Sequence, residues 1–167
     1  MRPLSSFVLL LLLLMVASPS AARAEPSGWV ASRDQGFGFT YAFPREAFAP
    51  PEGDAPPSVH TFQSQDARAK LLFTAWRNEE GRTPAAFKEW LIANTEGYDE
   101  LTYRPRGRSW FVLSGYRGDN IYYEKVMFSC GGDVVNVFAM SYPVAERSHY
   151  DPIVERIEDE FRPGKAC

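Results

Sequence analysis

The sequence is poor in the side chains that carry most protein chemistry, with two histidines and two cysteines among 167 residues. His60 and His149 each lack a second histidine or cysteine at the spacing a zinc site needs, so no metal ligand is assigned. A nucleophile elbow is missing as well. Its nearest approach, Gly107-Arg108-Ser109-Trp110, lacks the second glycine and runs into a strand pattern instead of a helix. Gly131-Gly132 lies between two strand patterns and predicts a hairpin turn, not a phosphate cradle at a helix start. No catalytic residue and no cofactor follow from these motifs.

Long apolar runs are scarce too. The one present, Phe7 to Val16, is about ten residues long, whereas a bilayer span takes about twenty. It follows Arg2 and precedes Ala22-Arg23-Ala24, the order of a secretory signal with a small-x-small cleavage site. The expectation is a signal peptide over residues 1–24, cut after Ala24, and a globular domain over residues 25–167. No cysteine follows the run to take a lipid anchor, and no membrane span remains after cleavage. The domain is expected in the periplasm or outside the cell.

A basic excess is also absent. Cleavage would remove Arg2 and Arg23 from 18 basic residues, leaving 16 against 21 acidic ones and a net charge of −5. An acidic surface repels a phosphate backbone, so nucleic acid is not an expected partner. The 143 residues left after removing 24 from 167 suit one domain, expected as a monomer.

What the chain does have is a strong strand and helix pattern. Phe37, Phe39, Tyr41 and Phe43 alternate with Gly38, Thr40 and Ala42 and predict a strand ended by Pro44. Residues 45–57 hold Pro50, Pro51, Pro56 and Pro57 and predict an exposed loop. A hairpin is expected over 59–65 and 69–77, its second strand apolar on both parities, as in a sheet covered on both faces. Thr83-Pro84 predicts a capped helix start, with Phe87, Trp90, Leu91 and Asn94 at helical spacing up to Gly97. Strands at 110–117, 121–129 and 134–142 follow, joined by tight turns. Tyr150, Ile153, Val154, Ile157 and Phe161 then form one stripe of a closing helix over 146–161, started by Ser148 or Asp151 as cap with Pro152 in its first turn.

This pattern predicts an α+β fold: a single-domain three-layer α/β/α sandwich with two main helices and an antiparallel sheet of about six to seven strands. It also bears on Cys130 and Cys167. A strand of nine or ten residues covers about 30 Å and a returning sixteen-residue helix about 24 Å. The tail from Arg162 would then start near Cys130, and a disulfide is the favoured reading. The alternative is a free Cys130 in the sheet and a frayed C-terminus.

The run Gly36-Phe37-Gly38-Phe39-Thr40-Tyr41-Ala42-Phe43-Pro44, the helix after Thr83-Pro84, the long meander and the closing helix resemble the PsbP-like family over most of residues 28–163. The resemblance implies the α/β/α fold and a role in binding partners, as among photosystem extrinsic subunits, a Ran-binding nuclear import factor and exported bacterial proteins. No functional residue of those proteins matches a motif here, and none is carried over.

One constellation stands out. Arg104, Arg106 and Arg108 recur at every second residue beside Tyr103 and Trp110, and in an extended segment they would point the same way, toward carboxylate or phosphate oxygens. Pro105 and Gly107 favour a turn or sheet edge, where positive charge also deters edge pairing. Glu79-Glu80 and Asp99-Glu100 are the remaining carboxylate pairs and are expected on solvated loops. Tyr116, Tyr122, Tyr123 and Tyr142 are expected in packing. The function expected is thus an exported non-catalytic binding or accessory module of the bacterial cell envelope, taking an envelope protein or a small anionic ligand. The alternative is a periplasmic enzyme of hydrolase type. A deep pocket lined by titratable groups under the 45–57 loop would favour the enzyme, and a shallow aromatic-basic surface would favour binding.

Overall fold

The structure, a computed structural model, describes residues 28–94 and 98–167. The expected signal peptide lies outside the described residues. In chain order the elements are β1 (Trp29–Arg33), β2 (Thr40–Pro44), β3 (Val59–Gln63), β4 (Lys70–Arg77), α1 (Pro84–Asn94), β5 (Glu100–Tyr103), β6 (Trp110–Arg117), β7 (Asn120–Ser129), β8 (Val134–Pro143) and α2 (Arg147–Glu160). They make an α+β fold with two main helices, a six-stranded antiparallel sheet ordered β3-β4-β8-β7-β6-β5, and a separate β1-β2 hairpin.

Strand β8 sits inside this sheet because its sequence leaves no polar side to expose. Residues Val134 to Met140 are all buried. Val135, Val137 and Ala139 pack in a cluster with Phe87 of α1, while Val134, Phe138 and Met140 pack in another with Tyr150, Val154 and Ile157 of α2. The second cluster takes in the hairpin too: the Tyr41 ring lies 4.3 Å from Phe73, and Phe73 lies 5.6 Å from Phe138 and 5.9 Å from Phe161. Truncating any one of these rings would cost about 3–5 kcal/mol.

Three local expectations shift. The aromatic strand starts at Thr40, not Phe37, because the Asp34 carboxylate accepts the Phe37 N–H at 2.6 Å and draws that residue into a turn. Its partner is β1, which the alternation did not reveal, so this strand belongs to a second sheet. Helix α2 starts without a side-chain cap, following a 3-10 turn at Val144–Glu146, and Pro152 lies inside it. Asp151 instead accepts the Tyr142 hydroxyl at 2.7 Å and the Arg147 Nε–H at 2.9 Å, pinning the helix to β8. Helix α1 starts as expected, with the Thr83 hydroxyl oxygen accepting the Ala86 N–H at 3.2 Å, but Trp90 is partly exposed beneath the Arg82 guanidinium.

The C-terminal tail does return to Cys130. Thr40 and Arg162 exchange two backbone hydrogen bonds of 3.0 and 2.9 Å, Gly164 donates its N–H to the Asn136 side chain at 2.9 Å, and Ala166 donates to the Phe37 carbonyl at 3.2 Å. Glycine is required at 164, since a Cβ there would lie 2.0 Å from the Phe37 oxygen. Cys130 and Cys167 then form a disulfide, with Cα atoms 5.4 Å apart and a sequence separation of 37. Closing a loop of that length stabilises the fold by about 4 kcal/mol in the chain-entropy model. The double variant C130S/C167S is therefore expected to lose about 3–4 kcal/mol, measured as a lower denaturant midpoint than that of the oxidised protein; an unchanged midpoint would remove this role.

Candidate functional site

The arginine segment follows β5, the strand at one edge of the sheet. Gly107 and Trp110 close a tight turn, the Gly107 N–H donating to the Trp110 carbonyl at 2.8 Å. A Cβ at 107 would lie 2.2 Å from the Trp110 indole nitrogen, so any larger residue there would displace the indole. The turn brings Arg106 and Arg108 to one hollow of about 250 Å³, shared with Lys88, Trp110 and the Thr83-Pro84 start of α1. Arg104 is not among its lining residues. All three arginines are exposed, and no described residue forms a hydrogen bond or ion pair with their guanidinium groups. Lys88 adds a third cation, and the positive end of the α1 dipole adds to it. The geometry suits a small anionic group more than an extended rank of three forks. Lys88 went unnoticed in the sequence because it lies eighteen residues before Arg106 and reaches it only through the packing of α1.

Other candidates resolve into structural roles. Glu80 pairs with Arg82, and Asp99 accepts the Gly118 N–H at 2.6 Å. Glu100 is the first residue of β5. Tyr123 and Tyr142 are buried, their hydroxyls donating to Glu158 at 2.5 Å and to Asp151 at 2.7 Å. His149 is exposed and packs edge-on against Tyr150. Among the described residues no group of three His, Cys, Asp or Glu side chains could hold a metal ion.

Under the 45–57 loop, residues 50–56 and β3 enclose about 350 Å³, with Glu52, Asp54 and His60 as its titratable lining. Glu52 and Asp54 are exposed. The His60 Nε2 is 3.0 Å from Asp34 Oδ1, while Ser58 donates to Asp34 Oδ2 at 3.1 Å. This set of serine, aspartate and histidine is not a nucleophile relay. Both partners converge on the carboxylate, and no hydrogen bond joins Ser58 to His60. Asp34 is 3% exposed and fastens the turn before β2 to β3. Burial pushes its pKa up, but the hydrogen bonds from His60, Phe37 and Ser58 outweigh this and leave it below the ordinary 3.8.

The second carboxyl that the sequence reading passed over is Glu124. It occupies an inward position of β7, between Tyr122 and Val126 on the α1 side of the sheet, and is 8% exposed. Desolvation pushes its pKa up to about 7 against the opposing charge of Arg117. No hydrogen bond to it comes from any described residue. The signal was present in the Tyr122-Glu124-Val126-Phe128 parity, where an acid stands among apolar and aromatic neighbours.

Compared by sequence, the chain matches no family model and no curated protein. Compared by structure, it is similar to the cyanobacterial PsbP of Synechocystis sp. PCC 6803, with a TM-score of 0.53 and 12% identity over 86% of this chain and 97% of that one. It is also similar to the Saccharomyces cerevisiae Ran-binding protein Mog1p, with a TM-score of 0.58 and 8% identity over 81% of this chain and 95% of that one. The chain has the PsbP-like fold. The resemblance carried by the aromatic strand, the meander and the closing helix thus holds at the level of architecture.

The two buried carboxyls predict opposite responses to pH. Asp34 has a lowered folded pKa, so its contribution is complete above pH 3.8 and is lost as pH falls through the folded value. D34N should lower the denaturant midpoint at pH 7 and shrink the drop seen in acid. Glu124 has a raised folded pKa, so stability falls as pH rises from 4.5 to about 7. E124Q should therefore raise stability at pH 8, by up to about 3 kcal/mol, and flatten that interval; a loss of stability at pH 8 would contradict the assignment.

Proposed function

We propose that the chain is an exported, monomeric, non-catalytic binding module of the bacterial cell envelope, built as a three-layer α/β/α sandwich, which docks an acidic group of an envelope partner at Arg106 and Arg108. Arg104 extends the positive surface and Lys88 completes the hollow. The observation that carries this reading is the concentration of cations, without ion-pair partners among the described residues, around one aromatic-floored hollow, in a protein whose net charge is negative. Such a surface attracts carboxylates and orients encounter more than it stabilises the fold. A protein of the same fold is described as Ran-binding, which supports a partner-binding use of the architecture. Export is supported by the Arg2, Phe7–Val16 and Ala22-Arg23-Ala24 pattern and by the Cys130–Cys167 disulfide, a bond that persists in oxidising compartments. Among the described residues no helix is long and apolar enough to cross a membrane.

The test is capture from an envelope fraction by the wild type and by R104Q/R106Q/R108Q. The triple variant should fold with an unchanged denaturant midpoint and lose about tenfold or more in partner affinity. Wild-type affinity should fall as salt rises. Equal capture by both proteins would refute the docking role, and a chain retaining residues 1–24 in that fraction would refute cleavage.

A further inference from the structure

The arginine hollow has two chemically distinct parts, and together they narrow what can occupy it. Its charged lining residues are Arg106, Arg108 and Lys88, and no carboxylate lines it. The rest of its wall is largely apolar, with Trp110 and Phe111 from β6 and Pro84 and Ala85 from the first turn of α1. Its volume of about 250 Å³ lies below the usual range of drug-sized sites, so it has room for about one residue.

The start of α1 adds a backbone donor. Pro84 has no N–H, the Ala86 N–H goes to the Thr83 hydroxyl, and the Phe87 N–H goes to the Thr83 carbonyl at 2.8 Å. That leaves the Ala85 N–H as the first-turn donor that no described residue accepts, on a residue of the hollow at the positive end of the helix.

Three kinds of anion match only half of this lining. A free amino acid brings an ammonium that would meet three cations and no carboxylate. An inorganic anion leaves the apolar wall in water. An aspartate or glutamate inside a partner chain carries its carboxylate with no apolar branch on the same residue. The last residue of a polypeptide differs from all three: one Cα bears a carboxylate and a side chain together, and its nitrogen is a neutral amide.

We propose that the hollow captures the C-terminus of the envelope partner, a chain that ends in an apolar residue such as leucine. The terminal carboxylate takes charge-assisted hydrogen bonds from Arg106, Arg108 and the Ala85 N–H, with Lys88 beside it, and the terminal side chain lies against Trp110 and Pro84. This occupant rests on the docking role proposed above and specifies its chemistry.

Calorimetric titration of the oxidised protein with acetyl-Gly-Ala-Leu as the free acid tests it. That peptide should bind at least tenfold tighter than its C-terminal amide, and at least tenfold tighter than an amidated peptide with an internal aspartate. It should also bind about tenfold tighter than acetyl-Gly-Ala-Gly as the free acid, which lacks the apolar side chain. R106Q/R108Q should lose at least tenfold. Ala85 is exposed in the first turn, where an acid suits the helix dipole, so A85E should keep or raise the denaturant midpoint while losing at least tenfold in peptide affinity. No binding of the free-acid peptide at about 5 mM would overturn this occupant, as would equal binding of acid and amide or undiminished binding to folded A85E. Binding of 4-methylpentanoate as tight as that of the peptide would assign the hollow to a free apolar carboxylate and overturn the chain end. These titrations contain no envelope partner, so their failure leaves docking to be decided separately by capture with R104Q/R106Q/R108Q.

Discussion

Asn136 is wholly buried within the stretch of β8 from Val134 to Met140, whose other residues are apolar, and three parts of the molecule are joined through it. Its amide donates to the Met127 carbonyl at 3.2 Å and to the Ser129 hydroxyl at 3.0 Å, both on β7, while its carbonyl oxygen accepts the Gly164 N–H. A buried amide of this kind is acceptable only because both of its ends are satisfied, and a half-satisfied one would cost about 1–3 kcal/mol for each orphaned group. The tail held at Gly164 pairs with β2 through Arg162, closes over Phe37 and ends in the disulfide to Cys130. The separate hairpin, the sheet and the chain end are therefore one cooperative unit. The arginine turn and the α1 hollow lie on a scaffold fixed from its opposite side.

That rigidity gives the two buried carboxyls their contrasting meanings. Asp34 collects three hydrogen bonds and acts as a structural clamp, so its depressed pKa reflects a group whose charged form the fold wants. Glu124 collects none from the described residues, and burial drives it toward its neutral form. A stability criterion alone would replace Glu124 by an apolar residue, since a buried ionisable group without good partners is generally destabilising. The cations of the arginine turn contribute little to stability for the opposite reason: exposed charges interact through water and are screened.

Much of the architecture was legible because it rests on local periodicity. The strands from Trp110 to Tyr142 were visible as apolar runs between glycine turns and the two helices as stripes at helical spacing. The apolar character of β4 on both parities did not mean burial on both faces: Leu71, Phe73 and Ala75 are buried, while Leu72 is half-buried and Trp76 is exposed. The short strands β1 and β5 were not legible. Each is four or five residues long, too short for a period to show, and each exists because a neighbouring strand offers it a hydrogen-bonding edge. The cap expected at Ser148 or Asp151 failed for a related reason: Asp151 found a better partner in Tyr142, a residue on another element.

The sequence by itself determined the element types, the apolar faces, the acidic balance and the candidates for the disulfide and the basic turn, since composition and spacing encode all of these within a few residues. Tertiary structure alone decided that the aromatic strand forms its own hairpin and that Lys88 joins Arg106 and Arg108 while Arg104 does not. It also decided that Asp34 accepts three hydrogen bonds and Glu124 none from the described residues. Hydrogen-bond satisfaction and desolvation are properties of neighbours brought together by folding, and no pattern along a single chain carries them.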